Sequence, residues 1–373
     1  MGHKTLRSVL IKPAGPDCNL RCSYCFYTEK AAMFGPKSRH RMSGATLEAA
    51  IGQVMGQSPE SVAISWQGGE PTLMGLHFYE EAVRLERKYG EGKTVGNAFQ
   101  TNGILIDRRW AQFFRDNEFL VGLSIDGPRH VHDYYRKHLN GSPSWAQVMH
   151  GAETLLTSGV AVNAVSTVTR YSGDHPDEVY DFLKGVGFSY MQFIPVVEKL
   201  PGGSQVTHYS VSAAQYGEFL NRLFERWQND FTLDGTGTSV RFFDAVLARY
   251  LGLEAAECEL SDTCGTYLVI EHNGDVYSCD FFVEPDHRLG SVCSDTLTEL
   301  LNSSQQESFG NAKSRIAATC STCSWLMYCR GGCSKDRLNN PVGDGTSYFC
   351  GSYRKFFERA DSRFRRMAQE LRR

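Results

Sequence analysis

Twelve cysteines fall in two groups toward the two ends of the 373-residue chain, and none lies between Phe26 and Glu257. The first group is Cys18-Asn-Leu-Arg-Cys22-Ser-Tyr-Cys25. Three thiolates on one short loop can wrap a face of a 4Fe–4S cube, hold three of its irons and leave the fourth open to a ligand. A structural zinc wants four closed ligands, and the nearest downstream histidine, His40, is poorly spaced to be the fourth. The second group holds Cys258, Cys264, Cys279, Cys293, Cys320, Cys323, Cys329, Cys333 and Cys350. Eight of these nine make two complete four-thiolate sets, with one left over. Fully ligated clusters suit electron transfer or structural roles. On spacing alone, two zinc ions are the alternative.

The elements that must position these thiols follow a regular pattern. Apolar, β-branched runs predict strands over 8–12, 62–66, 97–101, 119–125, 160–168 and 190–196. Amphipathic stretches predict helices over 43–55 (with Ser43 as N-cap), 76–89, 107–117, 144–157, 177–185 and 212–227. Six strand-then-helix units imply parallel strands joined by right-handed crossovers. Six is fewer than the eight of a closed barrel, so the expected fold is α/β, a partial six-stranded parallel (β/α) barrel, with a flat doubly wound sheet as the alternative that pattern alone leaves open. In such a barrel the chemistry sits at the C-terminal strand ends. Beyond about residue 234 helices shorten and cysteines and turns multiply. Asn273-Gly274 marks a hairpin, and a final helix runs from about Ser352. The expected domains are 1–234 and a metal-stapled 235–373.

Two further segments sit at expected strand ends. Gln67-Gly68-Gly69-Glu70-Pro71 follows strand two. Its glycines permit close backbone approach to a ligand, and a carboxylate beside exposed carbonyls suits a cationic amine. Ser124-Ile-Asp126-Gly127 ends strand four, and Arg136 soon after is either a carboxylate partner or a solvated surface arginine. Gly92-Lys93-Thr94 looks like the end of a P-loop, but Arg87 stands where that motif needs a glycine. It is expected to be a helix C-terminal turn.

The Cys18, Cys22, Cys25 triplet, with Tyr24 before the last thiol, resembles the signature of the radical S-adenosylmethionine superfamily. That resemblance implies that the open iron chelates the amino and carboxylate groups of S-adenosylmethionine, and that electron transfer releases a 5′-deoxyadenosyl radical. It implies cofactor contacts by Tyr24, Gln67, Gly68, Gly69, Glu70, Ser124, Asp126 and Arg136. The C-terminal cysteines resemble the SPASM domain of radical enzymes that modify peptides and proteins. The implied sets are Cys258, Cys264, Cys279, Cys333 and Cys320, Cys323, Cys329, Cys350, making three 4Fe–4S clusters in all. Cys293 is left over and is expected to be a small core residue.

Along nearly its whole length the chain is similar to anaerobic sulfatase-maturating enzymes. The likeness rests on Leu10-Ile-Lys-Pro13, Cys25-Phe-Tyr27, Trp66-Gln-Gly-Gly-Glu-Pro-Thr72, Gln100-Thr-Asn-Gly103, Leu120–Gly127, Arg241-Phe-Phe-Asp244, Cys279-Asp-Phe281 and the run from Cys350 to Glu358. It implies oxidation of a Ser or Cys in a sulfatase to formylglycine, with Asp280 as base beside cluster ligand Cys279, and Tyr27 and Gln67 meeting the substrate peptide. The implied partners are an unfolded or nascent sulfatase carrying a Cys/Ser-x-Pro/Ala-x-Arg motif and an electron donor such as flavodoxin or ferredoxin. Radical modification of another peptide is the alternative. Enzymes of that kind commonly carry an N-terminal peptide-binding extension, for which the 17 residues before Cys18 are too few. A non-enzymatic electron carrier or zinc-stapled module has no need of six strand–helix units and a Gly-Gly-Glu pocket.

A net charge of −3 gives no field for nucleic acid or a membrane surface. The first apolar run, Val9-Leu10-Ile11, is too short for a signal-peptide core or a span. The expectation is a cytoplasmic monomer, whose reducing surroundings favour metal use of the cysteines over disulfides.

Overall fold

Ser43, Asp107 and Ser212 each stand just before a helix and turn a side-chain oxygen back onto its first amides, accepting from Thr46, from Arg109 and Trp110, and from Gln215. The computed structural model describes residues 3–35, 39–200, 202–203, 205–232 and 236–372. The six expected units are present. Strands β1 (Ser8–Lys12), β2 (Ser61–Trp66), β3 (Thr94–Thr101), β4 (Leu120–Ser124), β5 (Ala161–Val168) and β6 (Tyr190–Pro195) are followed by helices. These are α1 (Gly44–Gln57), α2 (Leu76–Tyr89), α3 (Arg108–Asp116), α4 (Arg129–Tyr135), α5 (Trp145–Thr157), α6 (Pro176–Val186) and α7 (Ala213–Asp230). The short α4, inserted after β4, was not expected. Neither were the two-residue strand β7 (Ser239–Val240) and helix α8 (Arg241–Leu251). The strands of the C-terminal third are β8 (Leu268–Glu271), β9 (Asp275–Tyr277) and β10 (Arg288–Ser291), and the last helix is Cys350–Leu371.

The chain forms two compact units that interleave along the sequence: Met1–Ser124, Lys137–Val162 and Gly265–Asn311 in one, Ile125–Arg136, Asn163–Cys264 and Ala312–Arg373 in the other. The expected boundary at residue 234 lies outside the described residues. In the first unit β1–β2, β2–β3 and β3–β4 pair in parallel. On the other side of β1 the expected hairpin joins the same sheet, β8 parallel to β1 and antiparallel to β9. Its turn closes from Gly274 N to Glu271 O at 2.9 Å. The core is aromatic: Trp66, Tyr79, Phe99, Trp110, Phe114 and Phe119 are buried, with Tyr79–Phe99 and Phe99–Phe114 centroids both 4.9 Å apart. In the second unit β5–β6 and β6–β7 pair in parallel. Helix α7 and the C-terminal helix pack through Phe224, Phe356 and Phe364, the Phe224–Phe364 centroids lying 5.0 Å apart.

Gly92 and Lys93 follow α2 in a turn, and the Lys93 ammonium is bonded to the Ser58 and Pro59 carbonyls at 2.5 and 3.1 Å. That is a structural turn, as expected, and no phosphate cradle. One buried carboxylic acid ties the layers together. Asn97 on β3 receives a hydrogen bond from Trp66 Nε1 at 2.8 Å and donates to Glu86 on α2 at 2.9 Å. Burial pushes the Glu86 carboxyl from the usual 4.5 up to about 7. The folded state therefore favours the protonated acid. That contribution is present below about pH 4.5 and is lost as pH rises through about 7. Glu86→Gln, which keeps the acceptor, should melt higher than the parent at pH 8, with the gap narrowing toward pH 5.5. A gap that widens on acidification would contradict the assignment.

Candidate functional site

The triplet loop begins where β1 ends. Gly15–Asp17 lies flat against the Gly68–Glu70 segment at the end of β2: Gly69 N donates to Gly15 O and Glu70 N to Asp17 O, both at 2.8 Å. This contact requires glycine. A Cβ on Gly69 would stand 2.1 Å from the Asp17 carbonyl oxygen and 2.8 Å from the Pro16 carbonyl carbon, and Gly68 has φ +126°. Because the obstruction is backbone one residue before Cys18, it cannot swing aside. Gly69→Ala should cost about 1–3 kcal/mol and misplace the triplet. The check is a lowered melting temperature together with iron lost from the protein.

The Glu70 side chain is fully buried and its oxygens are spoken for. They accept from Thr72 N (2.9 Å), Thr72 Oγ1 (2.6 Å), Thr101 Oγ1 (2.8 Å) and Asn102 N (2.8 Å). Burial pushes its carboxyl up and these donors pull it back. The carboxylate thus fastens the end of β2 to the end of β3. Asn102 carries the brace to the triplet, donating to Asn19 Oδ1 at 2.7 Å and to Cys18 Sγ at 3.6 Å. Burial, the Glu70 carboxylate and the neighbouring Cys22 and Cys25 thiols push the Cys18 thiol up to about 12. Such crowded thiols ionise together only around a cation, so the triplet fits a metal cluster. His40 is engaged elsewhere, its Nδ1 2.8 Å from Asp17 Oδ1.

Beside the triplet, in the same unit, the hairpin brings in Asp280. Its Oδ1 lies 2.5 Å from Lys12 Nζ, and Gln67 Nε2 donates to its Oδ2 at 3.4 Å. Lys12 is 1% exposed; its ammonium sits 3.7 Å from the Tyr27 ring centroid and 4.0 Å from Glu271 Oε1. Tyr27 OH donates to Glu271. Burial and the negative charges of Glu271 and Asp280 hold that phenol well above its usual range, so it remains a donor. The structure therefore brings Tyr27, Gln67 and Asp280 together. It also adds Lys12 and Glu271, which the sequence reading left without a role. The available signal was an ionisable residue closing an otherwise apolar run, Leu10-Ile11-Lys12 and Val269-Ile270-Glu271.

The other expected contacts divide between the units. Tyr24 is buried in the first, where Ser124 accepts from Gln100 at 2.9 Å. In the second, Arg136 is buried, with Nε 3.0 Å from Asp126 Oδ2, and Thr167 N donates to Asp126 Oδ1 at 2.9 Å. The surface alternative for Arg136 is thereby corrected: α4 turns it inward onto Asp126. His132, missed from sequence, is fully buried and receives Asp126 N on Nδ1 at 3.4 Å. Burial pushes this imidazole down to about 4, keeping it a neutral acceptor.

Cys320, Cys323, Cys329 and Cys350 all line one cavity of ≈ 620 Å³ in the second unit, with Arg354 and Glu358 at its wall. Burial pushes the Cys329 thiol up to about 11, and Cys323, Cys320 and Cys350 add to this. Four thiols around one cavity fit a closed cluster. Cys258, Cys264 and Cys333 also belong to the second unit; Cys279 belongs to the first, where Tyr267 OH reaches its Sγ at 3.5 Å. Cys293 is exposed, which corrects the expectation of a core residue. Val292 takes the inward position after β10, and Cys293 follows it outward in the turn. Among the described residues no helix is long and apolar enough to cross a membrane.

Residues 13–184 match the model of the radical SAM superfamily, and residues 258–324 match that of SPASM, an iron-sulfur cluster-binding domain. The chain is 37% identical to a serine-type anaerobic sulfatase-maturating enzyme of Bacteroides thetaiotaomicron, over 97% of this chain and 91% of that protein. It is 36% identical to a cysteine-type anaerobic sulfatase-maturating enzyme of Clostridium novyi, over 98% of each. Its fold is similar to a solved structure described as native anSMEcpe with bound AdoMet and Cp18Cys peptide, with TM-score 0.90 and 35% identity over 98% of this chain and 99% of that one. On these residues and this likeness, the chain belongs to the anaerobic sulfatase-maturating enzymes of the radical SAM superfamily.

Proposed function

We propose that the Lys12–Asp280–Gln67 constellation is the place where a sulfatase peptide is oxidised to formylglycine, and the observation that carries this reading is Asp280 poised at 2.5 Å from a buried ammonium beside the triplet loop. The enzyme is a radical SAM oxidoreductase that converts Cys or Ser to formylglycine using S-adenosylmethionine and 4Fe–4S clusters. When bound, the open-iron cluster with S-adenosylmethionine supplies a 5′-deoxyadenosyl radical, and the auxiliary clusters accept electrons. Loss of a hydrogen atom from Cβ, then of one proton and one electron, turns a serine directly into the aldehyde; the same losses turn a cysteine into a thioaldehyde, which water hydrolyses to the aldehyde with release of hydrogen sulfide. Asp280 takes the proton, Gln67 and Tyr27 position the peptide, and Lys12 holds the base in place.

Cys18, Cys22 and Cys25 are the proposed ligands of the radical cluster. Cys258, Cys264, Cys279 and Cys333 are proposed for one auxiliary cluster, and Cys320, Cys323, Cys329 and Cys350 for the other. Tyr24, Gln67, Gly68, Gly69, Glu70, Ser124, Asp126 and Arg136 shape the S-adenosylmethionine site, Glu70 through the backbone it braces. Residues 1–234 are proposed as the radical domain and 235–373 as the auxiliary-cluster domain. The proposed partners are an unfolded or nascent sulfatase with a Cys/Ser-x-Pro/Ala-x-Arg motif and a low-potential donor such as flavodoxin or ferredoxin, met by a cytoplasmic monomer.

The test is anaerobic incubation of reconstituted protein with S-adenosylmethionine, a strong reductant and Cys-x-Pro-x-Arg or Ser-x-Pro-x-Arg peptides, read by mass spectrometry. An aldehyde formed together with 5′-deoxyadenosine, and neither formed by Cys22→Ala, is the expected result. Release of 5′-deoxyadenosine with both peptides unmodified would favour a different peptide substrate.

A further inference from the structure

Away from the radical site, two imidazoles and a carboxylate of the second unit converge where α4 meets the start of α6. His130 lies in the first turn of α4, His175 immediately precedes Pro176 at the start of α6, and Glu178 lies in the first turn of α6. One ligand atom of each lies within 4.8 Å of the other two. Glu178 Oε2 is 3.5 Å from His130 Nε2 and 3.4 Å from His175 Nδ1.

Those separations are informative. A charge-assisted hydrogen bond draws its heavy atoms to about 2.7–2.9 Å, so the three groups stand too far apart to be bonded chiefly to one another. A tetrahedral metal with Zn–N and Zn–O bonds of about 2.0–2.1 Å spaces neighbouring ligand atoms at about 3.3–3.5 Å. The two carboxylate–imidazole distances match that edge, and the two imidazole nitrogens lie within 4.8 Å of each other.

The arrangement is also held from behind. Tyr134 on α4 stacks on Tyr171 at 3.9 Å with an interplanar angle of 11°. The Tyr171 ring lies 5.0 Å from that of His175 and 6.1 Å from that of His130. The histidine rings stand 5.2 Å apart and nearly perpendicular, at 83°. An aromatic wall thus fixes both imidazoles before any ion arrives, which lowers the ordering cost of binding.

We propose that His130, His175 and Glu178 form a binding site for a divalent transition-metal ion of the zinc class. Two imidazoles and one carboxylate are a common three-ligand set for zinc. The side chains are 45%, 31% and 49% exposed, so solvent can fill the remaining position and the ion is exchangeable. Its effect is to pin α4 to the start of α6. The same short helix carries His132, and Arg136 caps its C-terminal end; both contact Asp126, so the clasp stiffens the segment that holds that residue.

The test uses reconstituted, iron-loaded protein incubated anaerobically with Zn²⁺ and desalted. Zinc content and zinc X-ray absorption are then measured, with iron content as control. The expected result is one bound zinc with a nitrogen/oxygen shell at about 2.0 Å showing imidazole scattering. Its affinity should fall about tenfold or more in His130→Ala, in His175→Ala and in Glu178→Gln. Three separate part-exposed substitutions guard against misfolding, and unchanged iron and 5′-deoxyadenosine release certify each variant. Hydrogen exchange in α4 should slow on adding zinc to the parent and not to the variants. No zinc uptake, uptake unaffected by all three substitutions, or a sulfur-only shell at about 2.3 Å that places the ion on cysteines would overturn the proposal.

Discussion

Asp280→Asn is expected to release 5′-deoxyadenosine while its peptide stays unoxidised, with aldehyde formation falling about 10²-fold or more. The amide keeps the size of the side chain and an acceptor oxygen for Lys12, gives up the second acceptor that Gln67 Nε2 uses, and has no basic oxygen to take a proton. In the proposed assignment radical generation depends on the triplet and on the braced Gly68–Glu70 backbone, neither of which the substitution touches. The two products therefore uncouple. Quantifying both in the same reaction separates this outcome from general inactivation, in which both disappear. Equal loss of both would move Asp280 from base to structural ion pair.

Lys12→Met should act more broadly. Methionine fills the volume of the stem but leaves the buried Glu271 and the part-buried Asp280 without their cation. Removing one partner of a buried ion pair costs about 3–5 kcal/mol. The melting temperature should drop by several degrees and peptide oxidation should fall with it. A double substitution, Lys12→Met with Glu271→Gln, removes one uncompensated charge and should recover part of the stability without restoring full oxidation. If Lys12→Met leaves both stability and oxidation unchanged, the ammonium does not hold the base.

Much of this arrangement was legible before any coordinates. Period and capping located six strands and their helices because the strand runs are rich in apolar and β-branched residues and Ser43 marks a helix start by side-chain chemistry. Cysteine spacing singled out the triplet, since three thiols within eight residues have few other uses. What escaped were partnerships set by long-range topology. Nothing local says that β8 runs beside β1, so nothing local says that Glu271 and Asp280 meet Lys12 more than 250 residues away. Helix α4 is seven residues long, too short to show a period, so His132 was hidden with it and the inward turn of Arg136 at its end stayed open. Glu70 was recognised as important from its motif. Its four donors come from Thr72, Thr101 and Asn102, and only the fold discloses that the carboxylate faces them.

The most direct measurement uses a sulfatase-type peptide whose target residue carries deuterium at Cβ. The reconstituted enzyme is given S-adenosylmethionine and reductant, and both the nucleoside and the peptide are weighed. Deuterium recovered in 5′-deoxyadenosine, in step with aldehyde formed in the peptide, is the result expected if the radical acts on that carbon beside Gln67 and Asp280. Aldehyde without deuterium transfer, or deuterium transfer without aldehyde, would contradict it.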